Sequence, residues 1–582
     1  MTIERKVGMG IAGQPSGATD VADVFNAYNF RGNATARSID NGIDLSGEGG
    51  MVWVKGRQST DNHYIWDTER GATKWLRPSD TNAEGTTTLG LTAFNSNGFT
   101  LGNHIDTNRN NHTAIAWTFR KKKKFFDIVT FSGNGTAGRT ISHGLGGPVG
   151  MVLIKRTDTT GYNWTVWHKS SSSNNLFLNT TGAQFSSGSR IASASSTTFT
   201  VGTAGGVNNA SGTYVAYIFA DNSSEDAEEQ MIKCGTYTGT GASVGASVTL
   251  GWEPQFLLIK PVTASGSWTM MDTMRGIPDG EDNTHIIANT NATEVANANW
   301  LSINTTGFKT LNGSYTDGNV NGVTYMYMAI RGPMMVEPKA ATDVFAISTY
   351  ANSAANAADV RHYSGFPVDT YLGIDNVAAA GNNRFFANRK THSSTDLLAA
   401  GREVLLLNTA DGAVNNGSDW FNTSSGIEPH LSNETENANS VRWMWKRAKG
   451  FFDVVPYTGT GANATVSHSL GAVPEMIWVK RRNGTNGWFV YTADAAGTKY
   501  LHLQDNYAYS TNATGFNNTA ATTSVFSVGT NHSTNRVSGL YIAYLFASLD
   551  GISKVGSYTG TGSDINVNCG FSAGARFILI KR

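Results

Sequence analysis

The chain is patterned as many short apolar runs separated by clusters of Gly, Asn, Thr and Ser. Several runs alternate between apolar and polar positions, the period of a half-buried β-strand, and helical periodicity is nearly absent. Residues 214–219 are apolar on both alternating faces, as in a central strand that is covered on both sides. Within residues 125–224 the predicted strands are 126–131, 139–142, 151–155, 163–167, 176–178, 199–201 and 214–219.

The same pattern recurs along the chain with a period of about 100 residues, which predicts tandem β-sandwich modules of the jelly-roll or concanavalin-like kind. A strand that ends in lysine appears at residues 50–55, 150–155, 255–260, 475–480 and 576–581. In residues 371–375 the same slot ends in Asp375. The fold prediction is therefore all-β, with five complete modules and one partial module. After an N-terminal segment (1–22), the boundaries are 23–124, 125–224, 225–335, 336–449, 450–549 and 550–582, which define modules 1 to 6.

The sequence also contains a longer repeat, whose unit is three modules. Modules 1 and 4 share an Ala-Thr-Asp-Val opening, modules 2 and 5 share Phe-Phe-Asp, and modules 3 and 6 share a Thr-Gly-Thr-Gly turn. This predicts that a block of three modules was duplicated. Module 6 stops directly after its lysine strand, so we expect either that the gene product continues or that another chain completes the module; the first is favoured.

Composition narrows the functional class. The chain has 65 Gly, 15% charged residues and 10% aromatic residues, which is typical of an extracellular-style β protein rich in turns. A formal net charge of zero argues against a dedicated nucleic-acid binder. Two cysteines, Cys234 and Cys569, do not make a disulfide framework. No apolar run reaches the roughly 18 residues that span a bilayer, and the N-terminus lacks an apolar secretion core.

Two sets of recurring residues resemble catalytic groups and are better explained otherwise. His143 and His468 lie twelve residues before the repeat lysine, but Val248 and Cys569 hold the same slot in other modules. A slot that accepts His, Val and Cys is a packing position. The lysines recur at a strand end, where capping a sheet edge or pairing locally explains them more simply than catalysis. They are Lys55, Lys155, Lys260, Lys480 and Lys581.

The sharpest motif is Asp-Thr-x-Arg-Gly, which follows an aromatic strand at residues 67–71 and 272–276. We expect a turn in which the carboxylate holds backbone N–H groups and the arginine caps it. The alternative is a polar site for a sugar or a cation beside an exposed tryptophan. Aromatic residues on one repeat strand, including Trp164, Trp167 and Tyr491, suit sugar stacking or core filling, and core filling is favoured. The candidate ligand-binding residues are Trp66, Asp67, Arg70, Trp268, Asp272, Arg275 and Trp488.

Other features point away from enzymatic chemistry. No nucleophile–base pair, metal-ligand spacing or phosphate loop occurs, so neither catalysis nor a cofactor is expected. The basic junctions at residues 120–124 and 446–449 are interpreted as solvated linkers that face the acidic junction, residues 221–229, of a neighbour in an assembly. A phosphate or lipid contact is the alternative.

The sequence resembles a repeated domain of unknown function that is common in virion proteins of marine and cyanobacterial phages. The resemblance rests on residues 41–50, 67–71, 97–102 and 117–127, and it extends over essentially the whole chain, most weakly in module 4. It implies a place on a phage particle and supplies no catalytic residues.

Together these features predict a structural virion protein of a tailed phage, most simply a tail fibre or appendage that contributes to host attachment. The expected partners are other virion proteins, a tail adaptor or nozzle, and a host surface glycan or protein. A homotrimer is expected, without nucleic acid or membrane insertion. A capsid-associated decoration or spike and a string of carbohydrate-binding modules are the alternatives. The predicted docking residues on the N-terminal arm are Gly8, Ile11, Gln14 and Pro15.

Overall fold

The structure of the chain is a computed structural model. The predicted docking residues Gly8, Ile11, Gln14 and Pro15 lie outside the part of the chain that it describes. The described residues are 20–171, 173–226, 229–277, 283–296, 299–313, 315–350, 362–374, 384–391, 403–415, 421, 423–427 and 440–582.

The described chain is almost entirely β-strand, and each of modules 1 to 5 repeats one order of strands. Module 1 has β1 (Phe25–Arg31), β2 (Arg37–Asp40), β3 (Gly50–Gly56), β4 (Tyr64–Asp67), β5 (Lys74–Trp75), β6 (Gly85–Thr86), β7 (Leu91–Asn95), β8 (Gly98–Leu101) and β9 (Thr113–Arg120). Module 2 has β10 (Phe126–Ser132), β11 (Arg139–Ser142), β12 (Val149–Arg156), β13 (Thr165–His168), β14 (Asn174–Phe177), β15 (Phe185–Ser186), β16 (Ile191–Ala194), β17 (Thr198–Val201) and β18 (Thr213–Ala220).

The later modules follow the same order. Module 3 has β19 (Ile232–Thr238), β20 (Val244–Thr249), β21 (Pro254–Pro261), β22 (Thr269–Asp272), β23 (Thr284–Ile287), β24 (Val295–Ala296), β25 (Leu301–Asn304), β26 (Gly307–Leu311) and β27 (Thr324–Arg331). Module 4 has β28 (Phe345–Tyr350), β29 (His362–Tyr363), β30 (Thr370–Ile374), β31 (Arg384–Asn388), β32 (Glu403–Leu406), β33 (Val414–Asn415), β34 (Gly426–Ile427) and β35 (Ser440–Trp445). Module 5 has β36 (Phe452–Thr458), β37 (Ala464–Ser467), β38 (Met476–Arg481), β39 (Phe489–Thr492), β40 (Lys499–His502), β41 (Ser510–Thr511), β42 (Val525–Val528) and β43 (Leu540–Phe546).

Helices within the described residues are single turns. The α-helices are α1 (Leu45–Glu48), α2 (Ile105–Asn108), α3 (Gly205–Asn208) and α4 (His532–Asn535). Short 3₁₀ turns cover Val21–Asp23, Lys169–Ser171, Ala341–Asp343 and Ala493–Ala495. The turns at Val21–Asp23 and Ala341–Asp343 open modules 1 and 4 at the same point, as the duplicated-block interpretation expects.

Each module is a sandwich of a larger and a smaller antiparallel sheet. In module 2 the larger sheet has the order β10-β18-β12-β13-β14-β15, and the smaller sheet has the order β11-β17-β16. The strand β18 lies between β10 and β12 and is buried along nearly its whole length, as its unbroken apolar sequence predicts. All seven strands predicted for this module are present. Phe185–Ser186 and Ile191–Ala194 were missed, because neither has a clear apolar alternation.

The first three modules pack against one another instead of forming an extended string. The ring of Phe119 in module 1 contacts Phe219 of module 2 at 5.6 Å and Phe256 of module 3 at 6.2 Å between centroids. A single buried apolar cluster runs through all three modules. Each Å² of apolar surface buried between modules stabilises the fold by about 25 cal/mol. Separated modules would lose this contribution to the free energy of unfolding.

Candidate functional site

The Asp-Thr-x-Arg-Gly motif folds as the turn that its sequence predicts. Asp67 Oδ1 accepts the Arg70 backbone N–H at 2.9 Å, and its Oδ2 accepts the Arg70 Nε–H at 2.6 Å. Asp272 and Arg275 repeat both bonds, at 3.0 and 2.7 Å. Gly71 ends the first turn with φ of 96°, a left-handed conformation that glycine adopts without strain.

In module 1 this turn binds the neighbouring module. The Tyr217 hydroxyl of module 2 donates to Asp67 Oδ2 at 2.6 Å, and Arg70 lies 3.3 Å from the same hydroxyl. Arg70 also pairs with Glu84 at 3.3 Å. Burial and the adjacent Asp67 carboxylate raise the pKa of Tyr217 well above its usual value, against the opposing effect of the Arg70 guanidinium, so the phenol stays a hydrogen-bond donor.

In module 3 the same turn binds module 1 and carries a buried charge network. Asp272 Oδ2 accepts the Trp117 indole N–H at 3.0 Å. Arg275 lies over the Trp117 ring and pairs with Glu294 at 3.0 Å, and Glu294 pairs with Arg57 of module 1 at 2.8 Å. All of these side chains are buried. Charges removed from water in this way require partners, and the partners here come from two modules.

Modules 2 and 4 place other residues at the position of Asp67. His168 lies opposite Met151, and its Nε2 is 3.3 Å from the Tyr327 carbonyl oxygen of module 3. Asn388 of module 4 lies 3.1 Å from the Tyr544 hydroxyl of module 5. Tyr544 occupies the register position of Tyr217, so the contact persists after the carboxylate is replaced by an amide. In modules 1 to 4, therefore, the residue at the position of Asp67 contacts a neighbouring module.

A second contact uses one ring nitrogen in each of modules 1, 2, 3 and 5. Register places His63, Trp164, Trp268 and Trp488 at the same position, one residue before the paired strand. Each ring nitrogen meets a backbone carbonyl of an adjacent module, at 3.2, 2.8, 2.9 and 2.9 Å. The acceptors are also equivalent to one another, and they are Ile287, Arg77, Phe177 and Leu406.

These contacts place the candidate ligand-binding residues inside the molecule. Trp66, Trp268 and Trp488 each have 0% exposed surface. Trp66 stacks on Tyr64 at 5.4 Å within module 1, whereas Trp268 and Trp488 lie at module contacts. A sugar that stacks on an aromatic ring needs an open ring face, and the described chain presents none at these three positions.

The two blocks also meet through charged residues. Glu253 of module 3 pairs with Lys390 of module 4 and with Arg447 at 3.4 Å, while Arg447 also holds Asp453 at 2.6 Å. Burial alone would raise the pKa of Glu253, but the charges of Arg447 and Lys390 lower it to about 2. Glu253, Lys390 and Arg447 line a cavity of about 390 Å³ where modules 3, 4 and 5 meet. The Glu253 carboxylate in this lining is already paired with Lys390 and Arg447.

Four of the five repeat lysines pair locally, as one of the two interpretations expects. These four lie in strands with a partner strand on both sides, so the sheet-edge interpretation is wrong for them. Lys581 lies outside any strand and donates to the Asp505 carbonyl. The ammonium groups of the four donate to carbonyl oxygens at the end of the same strand or in the following loop, at 2.5–2.8 Å. Burial lowers the pKa of each to about 8. The lysines are Lys55, Lys155, Lys260 and Lys480, and their acceptors are Gly56, Tyr162, Gly266 and Asn486.

These lowered pKa values predict that stability rises with pH. Between pH 8 and 10.5 the folded chain releases the lysine proton while the unfolded chain still holds it, so the free energy of unfolding increases. We expect wild type to gain about 2 kcal/mol relative to Lys155→Met between pH 7.5 and 9.5. Hydrogen exchange of module 2 at each pH measures the difference. The exposed Lys499→Met should follow wild type, and a pH-independent difference for Lys155→Met would contradict the prediction.

The histidines and the charged junctions have structural partners. His143 stacks on Phe199, and His468 is buried and accepts the Leu470 N–H at 3.3 Å. Lys124 of the first basic junction pairs at 2.9 Å with Glu225 of the acidic junction in the same chain. Cys234 is buried, and burial raises the pKa of its thiol. Within the described residues no cluster of metal-ligating side chains occurs, and no helix is long and apolar enough to cross a membrane.

Sequence reasoning missed the partner residues Tyr217, Glu294, Arg57 and Glu253. A signal for Glu294 exists only once the strand pairing aligns the modules. Aligned by register, Glu84 and Glu294 hold one position, and they occur in the two modules that have the Asp-Thr-x-Arg-Gly arginine. Modules 2, 4 and 5 have Gln184, Ala413 and Tyr509 there.

Comparison with known proteins agrees with this repeated architecture. A family model described as "Domain of unknown function (DUF7483)" matches residues 20–332 and 388–582, and so reaches both blocks. No curated protein and no solved structure matches the chain. Since the match spans most of the sequence, the chain belongs to the family of this domain of unknown function, DUF7483.

Proposed function

We propose that this chain is a structural protein of a tailed-phage particle, a tail-fibre-like appendage that docks by its N-terminal arm and contributes to host attachment. The proposal combines the sequence resemblance to phage virion proteins with the architecture of the modules. Its partners would be a tail adaptor or nozzle on one side and a host surface glycan or protein on the other.

One observation carries the structural role. The side chains that a catalytic or ligand-binding site would use are engaged between modules instead. Asp67, Asp272 and Glu294 pair with residues of a neighbouring module, and Trp268 and Trp488 donate to neighbouring carbonyls. Such contacts hold modules in fixed relative positions, which suits a component that transmits or maintains shape.

The module arrangement also bears on the proposed oligomer. A trimeric appendage needs three equivalent surfaces around an axis, and modules 1 to 3 already supply three related sandwiches within one chain. In a homotrimer, the group formed by modules 1 to 3 of one chain would therefore contact the same group of the other two chains. Weak host contacts repeated over several modules would add through effective concentration.

Immunogold electron microscopy of intact phage particles tests the location. An antibody against modules 1 and 2 should label the tail, and pre-immune serum should label nothing. Label over the head would contradict the fibre proposal and favour a decoration protein. If the tail is labelled, purified full-length chain should then show saturable binding to host cells that excess unlabelled chain competes away.

A further inference from the structure

Modules 1 to 3 form a closed ring with three equivalent interfaces. At each interface a backbone N–H donates to a carbonyl of the adjacent module at 2.9 Å, and the third of these bonds returns from module 3 to module 1. Each interface also has a side chain at the position of Asp67 and a ring at the position of Trp164. The three interfaces can therefore be compared residue by residue. The backbone bonds run from Glu84 to Thr157, from Gln184 to Val262 and from Glu294 to Arg57.

Histidine occupies one of these positions at both interfaces of module 3. Where module 3 meets module 1, His63 lies at the position that Trp164 holds in module 2. Where module 2 meets module 3, His168 lies at the position that Asp67 holds in module 1. The interface between modules 1 and 2 has Trp164 and Asp67 at these two positions. A change in histidine protonation therefore acts on both sides of module 3.

The His63 ring has one fixed hydrogen-bond role at each nitrogen. Its Nδ1 accepts the Trp53 indole N–H at 2.9 Å, and its Nε2 lies 3.2 Å from the Ile287 carbonyl oxygen of module 3, so Nε2 carries the proton. The side chain is 0% exposed. An indole N–H donates and does not accept, so a proton on Nδ1 would face another N–H. Protonation of His63 therefore breaks a buried bond that orients the ring toward module 3.

His168 has the same arrangement between modules 2 and 3. Its Nδ1 accepts the Ser170 backbone N–H at 3.2 Å, and its Nε2 lies 3.3 Å from the Tyr327 carbonyl oxygen of module 3. This side chain is also 0% exposed. A backbone N–H does not accept either, so a second proton on the His168 ring has no acceptor at Nδ1.

His285, inside module 3, is also buried but has partners of a different kind. Its Nδ1 lies 3.3 Å from the Asn283 carbonyl oxygen, and its Nε2 lies 2.8 Å from the Tyr315 hydroxyl. A hydroxyl can turn from donor to acceptor, so a doubly protonated His285 keeps both bonds. Fixed donors at Nδ1 thus distinguish the two interface histidines from this one.

The charges around His63 oppose its protonation further. Burial lowers the pKa of His63 well below its usual value, and the charges of Lys55 and Arg275 lower it more, against the opposing effect of backbone hydrogen bonds. Lys55 belongs to module 1 and Arg275 to module 3, so both sides of the interface contribute. The carboxylates that act on Lys55 or Arg275 are Glu294, Asp61 and Asp106.

The surroundings of His168 are closer to neutral. Burial lowers the pKa of His168 to about 4; the Tyr327 carbonyl and Asp221 oppose this shift, and Lys169 adds to it. Lys169 and Asp221 also pair with each other. Burial raises the pKa of the Cys234 thiol and of the Tyr327 phenol, so neither changes charge in acid. The titratable groups on the strands of module 3 that pack here are Lys233, Cys234 and Tyr327.

We propose that His63 and His168 form an acid switch that releases module 3 from modules 1 and 2 and leaves modules 1 and 2 joined. The closed ring holds both histidines neutral, whereas the opened ring exposes them to water, where histidine binds a proton below about pH 6.5. Because the open state then binds more protons than the closed state, a fall in pH favours opening. The switch is a property of the chain, whether or not a virion carries it.

The size of the effect follows from proton linkage. Between pH 7.5 and 5.0, one histidine that is neutral in the closed ring and free in the open ring raises the opening equilibrium about 30-fold. Two histidines that are freed in one event raise it about 1,000-fold. Ordinary carboxylates, with pKa values of about 4, stay mostly ionised over this range. The pH interval therefore separates the histidines from the acidic residues of the interfaces.

Hydrogen exchange of the full chain at pH 7.5 and 5.0 tests the switch, with each rate divided by the intrinsic exchange rate at that pH. The Gln184 and Glu294 amides should lose protection by at least about 30-fold, because each closes an interface of module 3. The Glu84 amide makes the equivalent bond between modules 1 and 2 and should change by less than about threefold. Amides of β21 should stay better protected than Gln184 and Glu294, since module 3 separates while it remains folded.

Three results would overturn the proposal. One is equal loss of protection at Glu84, Gln184 and Glu294, and another is unchanged protection at Gln184, at Glu294 or at both. The third is exchange in β21 as fast as at these interface amides, because module 3 would then unfold instead of separating.

Variants assign the effect to the two histidines. His63→Gln and His168→Gln keep a side-chain amide that can donate to module 3 but that does not titrate. In the double variant, protection of Gln184 and Glu294 should differ by less than about threefold between the two pH values. Because the ratio is taken within each variant, a ring that is looser at both pH values still reports. His532→Gln, at an exposed position of module 5, should behave as wild type, and a wild-type pH ratio in the double variant would overturn the assignment.

Discussion

Glu294→Gln is expected to destabilise the first block by about 3–5 kcal/mol, because it removes the carboxylate between two buried arginines. Glu294 pairs with Arg57 of module 1 and Arg275 of module 3, and its side chain is 3% exposed. Loss of one partner from a buried ion network leaves desolvated charge without full compensation. Hydrogen exchange of β3 and β21 should accelerate together, since the network joins modules 1 and 3.

The equivalent residue in module 1 is a matched control for this prediction. Glu84 pairs with Arg70 and Lys74, but its side chain is 20% exposed, so Glu84→Gln should cost about 1 kcal/mol or less. Glu48→Gln, at an exposed position of module 1, should change nothing measurable. If Glu294→Gln and Glu84→Gln lower the free energy of unfolding equally, then burial of the charge network does not decide how much it contributes to stability.

Trp268→Ala is expected to cost about 3–5 kcal/mol, because it leaves a cavity at the contact between modules 2 and 3. The indole is buried in the shared apolar cluster, and its N–H donates to the Phe177 carbonyl at 2.9 Å. Trp268→Phe should cost about 1–3 kcal/mol, since it keeps an aromatic ring but leaves that carbonyl without its donor. Denaturant unfolding followed by exchange in β13 and β22 measures both variants.

This prediction also tests the carbohydrate interpretation of the same residue. A tryptophan that served mainly to bind a sugar would tolerate Trp268→Ala with little loss of stability, as the exposed Tyr507→Ala should. Retention of wild-type exchange rates in Trp268→Ala, together with loss of glycan binding, would contradict the packing role. Loss of protection in both module 2 and module 3 is the expected result.

The functional residues were only partly predictable. The Asp67–Arg70 turn follows from local chemistry, because a carboxylate three residues before an arginine reaches both its N–H and its guanidinium. That the same carboxylate accepts a hydrogen bond from Tyr217, 150 residues away in sequence, does not follow from any local pattern. Glu294 was detectable only once register aligned it with Glu84, and that alignment requires the strand pairing.

The sequence by itself determined the all-β class, the repeat and those strands that show a clear apolar pattern, because strand formation depends on local alternation, turn residues and a repeat that the chain displays directly. Only the tertiary structure decided that modules 1 to 3 close into a ring. A tryptophan such as Trp268 has the same sequence pattern whether it fills its own sandwich, meets a sugar or donates to a neighbour. The choice depends on which surface lies opposite, and that is set by packing between residues far apart in the chain.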